Sequence, residues 1–561
     1  MDKKTAAILL ASLLERIERD HAIGAASSHE RQALRLAVQA LGGGDAPAVA
    51  TAPVHLPSAP APVVAESLGT PSEPARIDLV LASVQREQQT PPDVLMCLDF
   101  GTAMSKAFAS VFPDQQLDLA LGVAAGREGY ALPSSVFIAD DGKAYFGFEA
   151  IEMSQGLESS GRERLDSIKG WISLQQEGSL DGEGNVLSTA MNPSGVKLTQ
   201  GDLLRIYLAY FTDMAELALM PHVGESRYVK RRYARPCWPD SKAQWGNQLM
   251  RRMLAEAQVL ADTFSGRWTG GIRVAELKAA VEQIKKLDQR PDYLIDEGVP
   301  EPVAVAAGAI ADSENLRDAF MVVDVGAGTT DFGLFISTRK SDADEPRVFQ
   351  NSMSIQGLMQ AGDKVDGLLR GFIAQKESID PSDNSGKLIL ADLSRRIRSL
   401  KEVLFKTGEL EYTLSDDTVG RIRLEDFLAD GKVIRFGQAV EDGFKKALGA
   451  VDESWLRWLA MDGVRLHVVV TGGSSPLPMM QALGKGPIEV KGHRIMRQSI
   501  DPKPYWMEDM PDELLTVYPQ LAVAIGGAAE VMPETNDAPL VFGGGVRATS
   551  YVAGKLHVGG K

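Results

Sequence analysis

The chain has 561 residues, with 59 Lys+Arg against 75 Asp+Glu and a formal net charge of −16. At roughly 100–200 residues per domain it accommodates several domains, and 44% apolar residues let each bury a core, which excludes general disorder. The acidic balance speaks against a phosphate-backbone partner, so no nucleic acid is expected. The two cysteines, Cys97 and Cys237, are too few for a disulfide framework and fit a reducing, cytoplasmic setting.

No stretch reaches the roughly 18 apolar residues of a membrane-spanning helix, so no membrane partner is expected. The opening MDKKTAAILLASLL imitates a signal peptide, but Leu10, Leu13, Leu14 and Ile17 continue at helical spacing through ERIERD, which fits an amphipathic helix. A second helix follows: Ser27 caps it with Glu30 three residues on, Leu34, Val38 and Leu41 form its stripe, and Gly42–Gly44 end it. Two such helices need an apolar partner, either a second copy, giving a homodimer through residues 1–44, or the body of the chain. Residues 45–92, rich in Pro and Ala, read as a flexible linker within which RIDLVLASVQREQ forms at most a brief helix.

From there to about Met532, short apolar runs alternate with helical patterns, the signature of α/β construction. VLMCLDFG, AFASVF, SSVFIA, MVVDVGAG, TTDFGLFIS and LHVVVTGG read as strands, LLRIYLAYFTDMAELAL and LADLSRRIRSLKEVLF as helices. One pattern recurs at long range: an apolar strand, Asp-x-Gly-x-x, and a second apolar strand, at Asp99 and again at Asp324. It predicts two related halves, residues 93–310 and 311–532, followed by a Gly-rich tail, 533–561.

Each of those hairpins brings an aspartate to a strand end and follows it with glycine and small residues. Such a turn exposes successive backbone N–H groups to a phosphate chain, and the aspartate supplies charge for Mg²⁺, which binds one or two carboxylates and keeps waters. Alone, either hairpin is also an ordinary glycine turn. A third element, RLHVVVTGGSSPLPMMQAL, runs a buried strand into Gly472-Gly473-Ser474 and then a helix whose start offers free N–H groups. A fourth, DEGVPEPVAVAAGAI, presents Glu301-Pro302 before a small-sided helix, Val303 to Ile310, and a matching small-sided stretch spans Leu521 to Met532.

In this order the five elements resemble the actin, sugar kinase and DnaK-type heat-shock ATPase superfamily, and the DnaK-type nucleotide-binding domain most, over about Val94 to Met532. The resemblance implies an α/β, two-lobed actin-like ATPase fold of duplicated ribonuclease H-like domains, with ATP or ADP and Mg²⁺ in the cleft and slow ATP hydrolysis. It assigns Asp99 and Asp324 to Mg²⁺ through water. Gly101, Thr102 and Ala103 match the first phosphate loop and Gly326, Ala327, Gly328 and Thr329 the second, with Asp331 following it. Glu301 matches the carboxylate that positions the attacking water. Lys169 falls where the family places a lysine near the phosphate, or is a solvated helix lysine. Gly472, Gly473, Ser474 and Lys401 match the adenosine site, beside a turn of Gly362, Asp363 and Asp366. Three positions depart: Pro476 stands where an arginine stacks on adenine, Arg398 and Glu402 replace an acid and a base, and Pro236 fits a relay proline whose arginine reader has no clear counterpart. Residues 1–44 resemble the dimerisation domain of small glutamine-rich tetratricopeptide co-chaperones. The expected function is a DnaK-like switch in protein folding or complex assembly, with a protein client or co-chaperone and without its own peptide-binding domain, since only the tail follows Met532. The alternatives are an actin-like filament-forming ATPase and a small-molecule kinase.

Overall fold

The apolar runs that end in glycine turns become the central strands of two mixed sheets. The computed structural model describes residues 77–540 apart from 114, 156–161, 175–182, 225–226, 311–316, 342–345, 502 and 509. The helices expected in 1–44, the linker before Ile77 and the tail beyond Leu540 lie outside the described residues.

In the first sheet β1 (Val94–Asp99) is buried along its whole length, pairs antiparallel with β2 (Met104–Val111), and β2 pairs antiparallel with β3 (Gln115–Asp118). On the other side of β1 lie β4 (Lys230–Arg235) and then β5 (Ile295–Pro300), both parallel to it. The second sheet repeats that plan. β6 (Arg317–Val325) pairs antiparallel with β7 (Thr330–Thr338), and β7 with β8 (Arg347–Gln350), while β9 (Leu466–Thr471) runs parallel to β6. Beyond β9, a hairpin of β10 (Lys485–Val490) and β11 (His493–Ile500) attaches with β11 parallel to β9. The orders β3-β2-β1-β4-β5 and β8-β7-β6-β9-β11 therefore match in position and direction, as the recurring Asp-x-Gly pattern predicts. The fold is mixed α/β.

Long helices cover the sheets, since strands buried on both faces need apolar cover on each. The first half carries α1 (Gln200–Val223), opened by a reciprocal capping box between Thr199 and Asp202, and α2 (Asp240–Phe264). The helix α3 (Glu301–Ala309) follows β5, while α4 (Gly362–Lys376), α5 (Asn384–Thr407) and α6 (Gly431–Gly449) belong to the second half. The last helix, α7 (Asp512–Gly527), begins well before the small-sided stretch expected at Leu521 and stops before its end. Gly526 lies against Ala304 and Gly308 of α3, and the turns before the small residues are helical without being small-sided.

These two helices are exchanged between the halves. The helix α3 leaves the first sheet and packs on β6 and β7, whereas α7 follows the second sheet and packs on β1, β2 and β4. They enclose a shared apolar core with Cys97 and Phe108 from one sheet and Phe320, Val322 and Val469 from the other. Their backbones come close enough that a Cβ on Gly526 would stand 1.8 Å from the Ala304 carbonyl oxygen.

Both ends of the described chain differ from the sequence expectation. The last part of the linker is packed: Ile77, Leu79, Leu81 and Val84 lie against the first half's core, Val80 donates its amide to Thr263 Oγ1 at 3.1 Å, and Tyr293 donates its hydroxyl to the Ser83 carbonyl at 3.0 Å. The brief helix expected within RIDLVLASVQREQ is present at Ala82–Gln85; what the linker reading missed is that this run packs on the first half. The start of the tail is also held: Glu534–Thr535 pairs with β8, Asp537 accepts from the Ser352 amide at 2.7 Å, and Trp455 Nε1 donates to the Ala538 carbonyl at 3.1 Å.

Rigid backbone faces the missing Cβ at Gly526, so Gly526→Ala should lose about 1–3 kcal/mol of stability, read as a lower urea midpoint. Gly308→Ala, whose Cβ would meet the Gly526 Cα at 3.2 Å, should lose less.

Candidate functional site

Between the two sheets opens a cavity of about 480 Å³, and its walls are the elements singled out in the sequence. The floor is the pair of hairpin turns, from β1 to β2 and from β6 to β7. Asp99, Gly101, Thr102 and Ala103 line it from one side; Asp324, Gly326, Ala327 and Thr329 line it from the other. Gly328 and Gly362 stand behind the lining: a Cβ on Gly328 would sit 3.0 Å from Thr102 Oγ1, and the Gly362 amide donates to the Gly326 carbonyl at 3.3 Å. With the Asp363 amide donating to the Ala327 carbonyl at 2.8 Å, the first turn of α4 holds the second hairpin in place.

Strand pairing explains the charge pattern. Opposite Asp99 in the β1–β2 register stands Lys106, whose Nζ donates to Asp99 Oδ2 at 3.0 Å. Sequence reasoning passed over Lys106, although a lysine inside the apolar run of β2, one hairpin away from an aspartate, was the available signal. Lys169 is buried in a turn, and its Nζ lies 2.5 Å from Glu301 Oε1, so it is no solvated helix lysine. Glu301 opens α3, where the helix N-terminus favours its charge.

The acids crowd one another. Burial, followed by Glu301, Asp331 and Asp99, pushes the Asp324 carboxyl well above the usual range, with Lys106 opposing. Burial likewise raises Glu301, to about 7, against the pull of Lys169 and with the help of Asp331 and Asp99. Burial works against the charge of Lys169, yet Glu301, Asp99 and Asp331 outweigh it and hold its ammonium above the usual value. Four carboxyls thus face two lysines, a surplus of negative charge that suits a cation beside Asp99 and Asp324. Among the described residues no group of three or more His, Cys, Asp or Glu is placed to hold a metal ion.

The third wall is the turn after β9. Gly472 adopts φ +91°, and a Cβ there would meet the Val325 carbonyl oxygen at 2.4 Å and Asp324 Oδ1 at 2.6 Å, so only glycine fits. Its amide donates to the Pro519 carbonyl at 2.7 Å, and the Ser474 amide donates to the Val325 carbonyl at 3.0 Å. The helix expected directly after Ser474 does not form there: Leu477, before Pro478, is extended, and the α-helix is the single turn Pro478–Gln481, followed by a 3-10 turn over Ala482–Gly484. Gly473 and Ser474 therefore offer a turn, not a helix start, to the cavity.

Facing that turn, α5 presents Arg398, Lys401, Glu402, Phe405 and Lys406, a single face at helical spacing. Lys401 Nζ sits 2.7 Å from Asp366 Oδ1, and Arg398 reaches Asp363 Oδ1 at 3.4 Å. Pro476, Leu477, Gln520 and Val523 complete the wall. Phe405 and Gln520 were not anticipated; the i, i+4 step from Lys401 to Phe405 was the signal for the first. Pro236 is buried beside Lys169 in a minor hollow, and Arg235 donates to its carbonyl at 3.2 Å.

No helix among the described residues is long and apolar enough to cross a membrane. Compared with protein-family models and with curated proteins, the chain matches none.

The crowding has a measurable cost. An acid whose pKa is raised on folding binds more protons folded than unfolded, so stability falls as pH rises from the unfolded value toward the folded one. Without divalent cations, Asp324→Asn should therefore raise the melting temperature at about pH 8, by roughly 2 °C. The gain should shrink toward about pH 5 and with added Mg²⁺.

Proposed function

We propose that the chain is an Mg²⁺-dependent ATPase that works as a DnaK-like molecular switch in protein folding or complex assembly. The observation that carries this reading is the convergence of both Asp-x-Gly hairpins and the Gly472–Ser474 turn on one cavity between two sheets of matching strand order. That match supports the two-lobed actin-like fold of duplicated ribonuclease H-like domains, with lobes divided near residue 310.

In this reading the backbone amides of Gly101–Ala103 and Gly326–Thr329 hold the phosphates, and Lys106 and Lys169 balance their charge. Asp99 and Asp324 would hold Mg²⁺, which would supply Lewis-acid neutralisation of the triphosphate. Gly472, Gly473 and Ser474 take the nucleoside from one side and the Lys401–Phe405 face of α5 from the other. Glu301 accepts a proton from the water that attacks the terminal phosphorus, and the bond to the departing ADP breaks. Its raised pKa leaves it a stronger base than an exposed glutamate while still ionised in part near neutrality. Lys169, at 2.5 Å, orients it. Loss of the terminal phosphate removes an anchor that both hairpins share, so the lobes relax and the chemistry becomes a change of shape that a protein client or co-chaperone can read.

The adenosine side supports nucleotide binding by a route of its own. Pro476 and Leu477 give an apolar surface where the DnaK-type chaperones that the chain resembles have a stacking arginine, and Phe405 adds an aromatic edge.

In the full-length protein, Glu301→Ala should keep ATP in calorimetry but lose phosphate release by about 10²-fold or more, whereas Asp324→Ala should weaken the Mg²⁺-dependent part of binding. Glu301 acts as its carboxylate, so wild-type turnover should rise with pH through about 7, and Glu301→Gln should lose that limb. Absence of ATP uptake by the wild-type chain would falsify the assignment.

A further inference from the structure

The first hairpin turn is not closed on itself. In an ordinary turn of this length the carbonyl of the first residue accepts from the amide three residues on, here Gly101 and Met104. Among the described residues that bond is not made. The Gly101 carbonyl accepts instead from the Ser134 hydroxyl at 2.7 Å, and the Ala103 carbonyl accepts from the Ser134 amide at 2.9 Å. Ser134 is fully buried behind the cavity wall, which Gly101, Thr102, Ala103 and Met104 line. Its hydroxyl belongs to a buried group. Ser105 Oγ lies 3.0 Å from Ser134 Oγ and 2.9 Å from the Tyr207 hydroxyl, which stands beside both serines and donates to the Pro133 carbonyl at 3.1 Å. A carbonyl only accepts, so the Ser134 proton is committed to Gly101 and Ser134 Oγ accepts from its hydroxyl neighbours.

We propose that Ser134 is a positioning residue of the phosphate site: by drawing the Gly101 carbonyl out of the turn, it leaves the Thr102 and Met104 amides open to a phosphate oxygen. In a trans peptide the carbonyl and the next residue's N–H point in opposite directions. With the Gly101 carbonyl turned to Ser134, the Thr102 N–H points away from Ser134, on the side of the cavity. The Ala103 carbonyl and the Met104 N–H are related in the same way.

The second hairpin reaches the same arrangement by other means. The Gly326 carbonyl, which a closed turn would give to the Thr329 amide, accepts from the Gly362 amide at 3.3 Å, and the Ala327 carbonyl accepts from the Asp363 amide at 2.8 Å. Gly101 and Gly326 hold the same place in the two Asp-x-Gly patterns, so both halves divert the same carbonyl. In the second half a backbone amide does this, and in the first half a side chain does, so only there can a substitution remove it. The inference rests on the ATPase reading above and adds to it a role for a residue outside the cavity wall.

The test compares Ser134→Ala with Ser105→Ala in the full-length protein, reading ATP affinity by calorimetry and adenosine affinity by competition with ATP. Each variant removes one buried hydroxyl from the same group, and only the first frees the Gly101 carbonyl. Ser134→Ala should weaken ATP about tenfold and leave adenosine unchanged, since the turn meets phosphate and not the nucleoside. Ser105→Ala should bind ATP as wild type does. Ser134→Cys, close in size but a weak donor, should show the Ser134→Ala pattern to a smaller extent. Unchanged ATP affinity in Ser134→Ala, equal loss of ATP and adenosine, or equal loss in the two alanine variants overturns the inference and leaves the ATPase reading standing. If Ser134→Ala does not fold, wild-type ATP affinity in Ser134→Cys overturns it equally. A wild-type protein that takes up no ATP removes both.

Discussion

Acidic side chains from two separate sheets are forced together in one buried place, and the rest of the structure answers that constraint. Asp99 and Asp324 arrive at the ends of fully buried strands, Asp331 follows on the next strand and Glu301 opens a helix. Burying an unpaired charge costs far more than a single hydrogen bond returns. The protein offsets part of that cost locally, with Lys106 on Asp99, Lys169 on Glu301, and a backbone amide and a hydroxyl on Asp331. Among the described residues Asp324 has no such dedicated partner, and burial, followed by Glu301, Asp331 and Asp99, raises its carboxyl well above its ordinary range. Such a cluster is stable only as a compromise, unlike an apolar core.

Much of this was legible in the sequence because it is local. A strand, an aspartate and a glycine turn are contiguous, and β-branched runs such as those around Asp324 specify their own burial. The small-sided helix after Glu301 was readable for the same reason: only a near neighbour explains a run of Val and Ala beside Gly308. Most of what escaped is nonlocal. Lys106 became meaningful only through its register opposite Asp99, and the Cys237 amide only through a sheet that brings residue 237 to residue 331. The helix expected after Ser474 failed because strand-to-helix continuity was weighed above two prolines. The packing of the segment from Ile77 was not legible, because the apolar residues of RIDLVLASVQREQ meet their partners only in the folded first half.

The two packed ends bear on how a switch would be wired. The chain reaches the first half through residues 77–86, which are hydrogen bonded to α2 and to Tyr293 and lie over its core. It leaves the second half through residues 534–540, paired with β8 and held by Trp455. Each terminal segment is thus anchored to a different half.

The contacts that join the halves fall into two kinds. Behind the cavity, α3 and α7 cross at Gly308 and Gly526 within an apolar core shared by both sheets. A backbone approach this close is intolerant of sliding, because the carbonyl of Ala304 already fills the space a methyl would need. Across the cavity floor the contacts are few and polar: Cys237 to Asp331, Ser167 to Asp363 at 3.3 Å, and Thr102 against Gly328. Polar contacts at a solvent-reached cleft exchange with water at little net free energy, whereas opening the helix crossing exposes apolar surface at about 25 cal/mol per Å². The helix crossing is therefore the costlier of the two joints to open, and the polar contacts of the other joint lie beside the carboxylates.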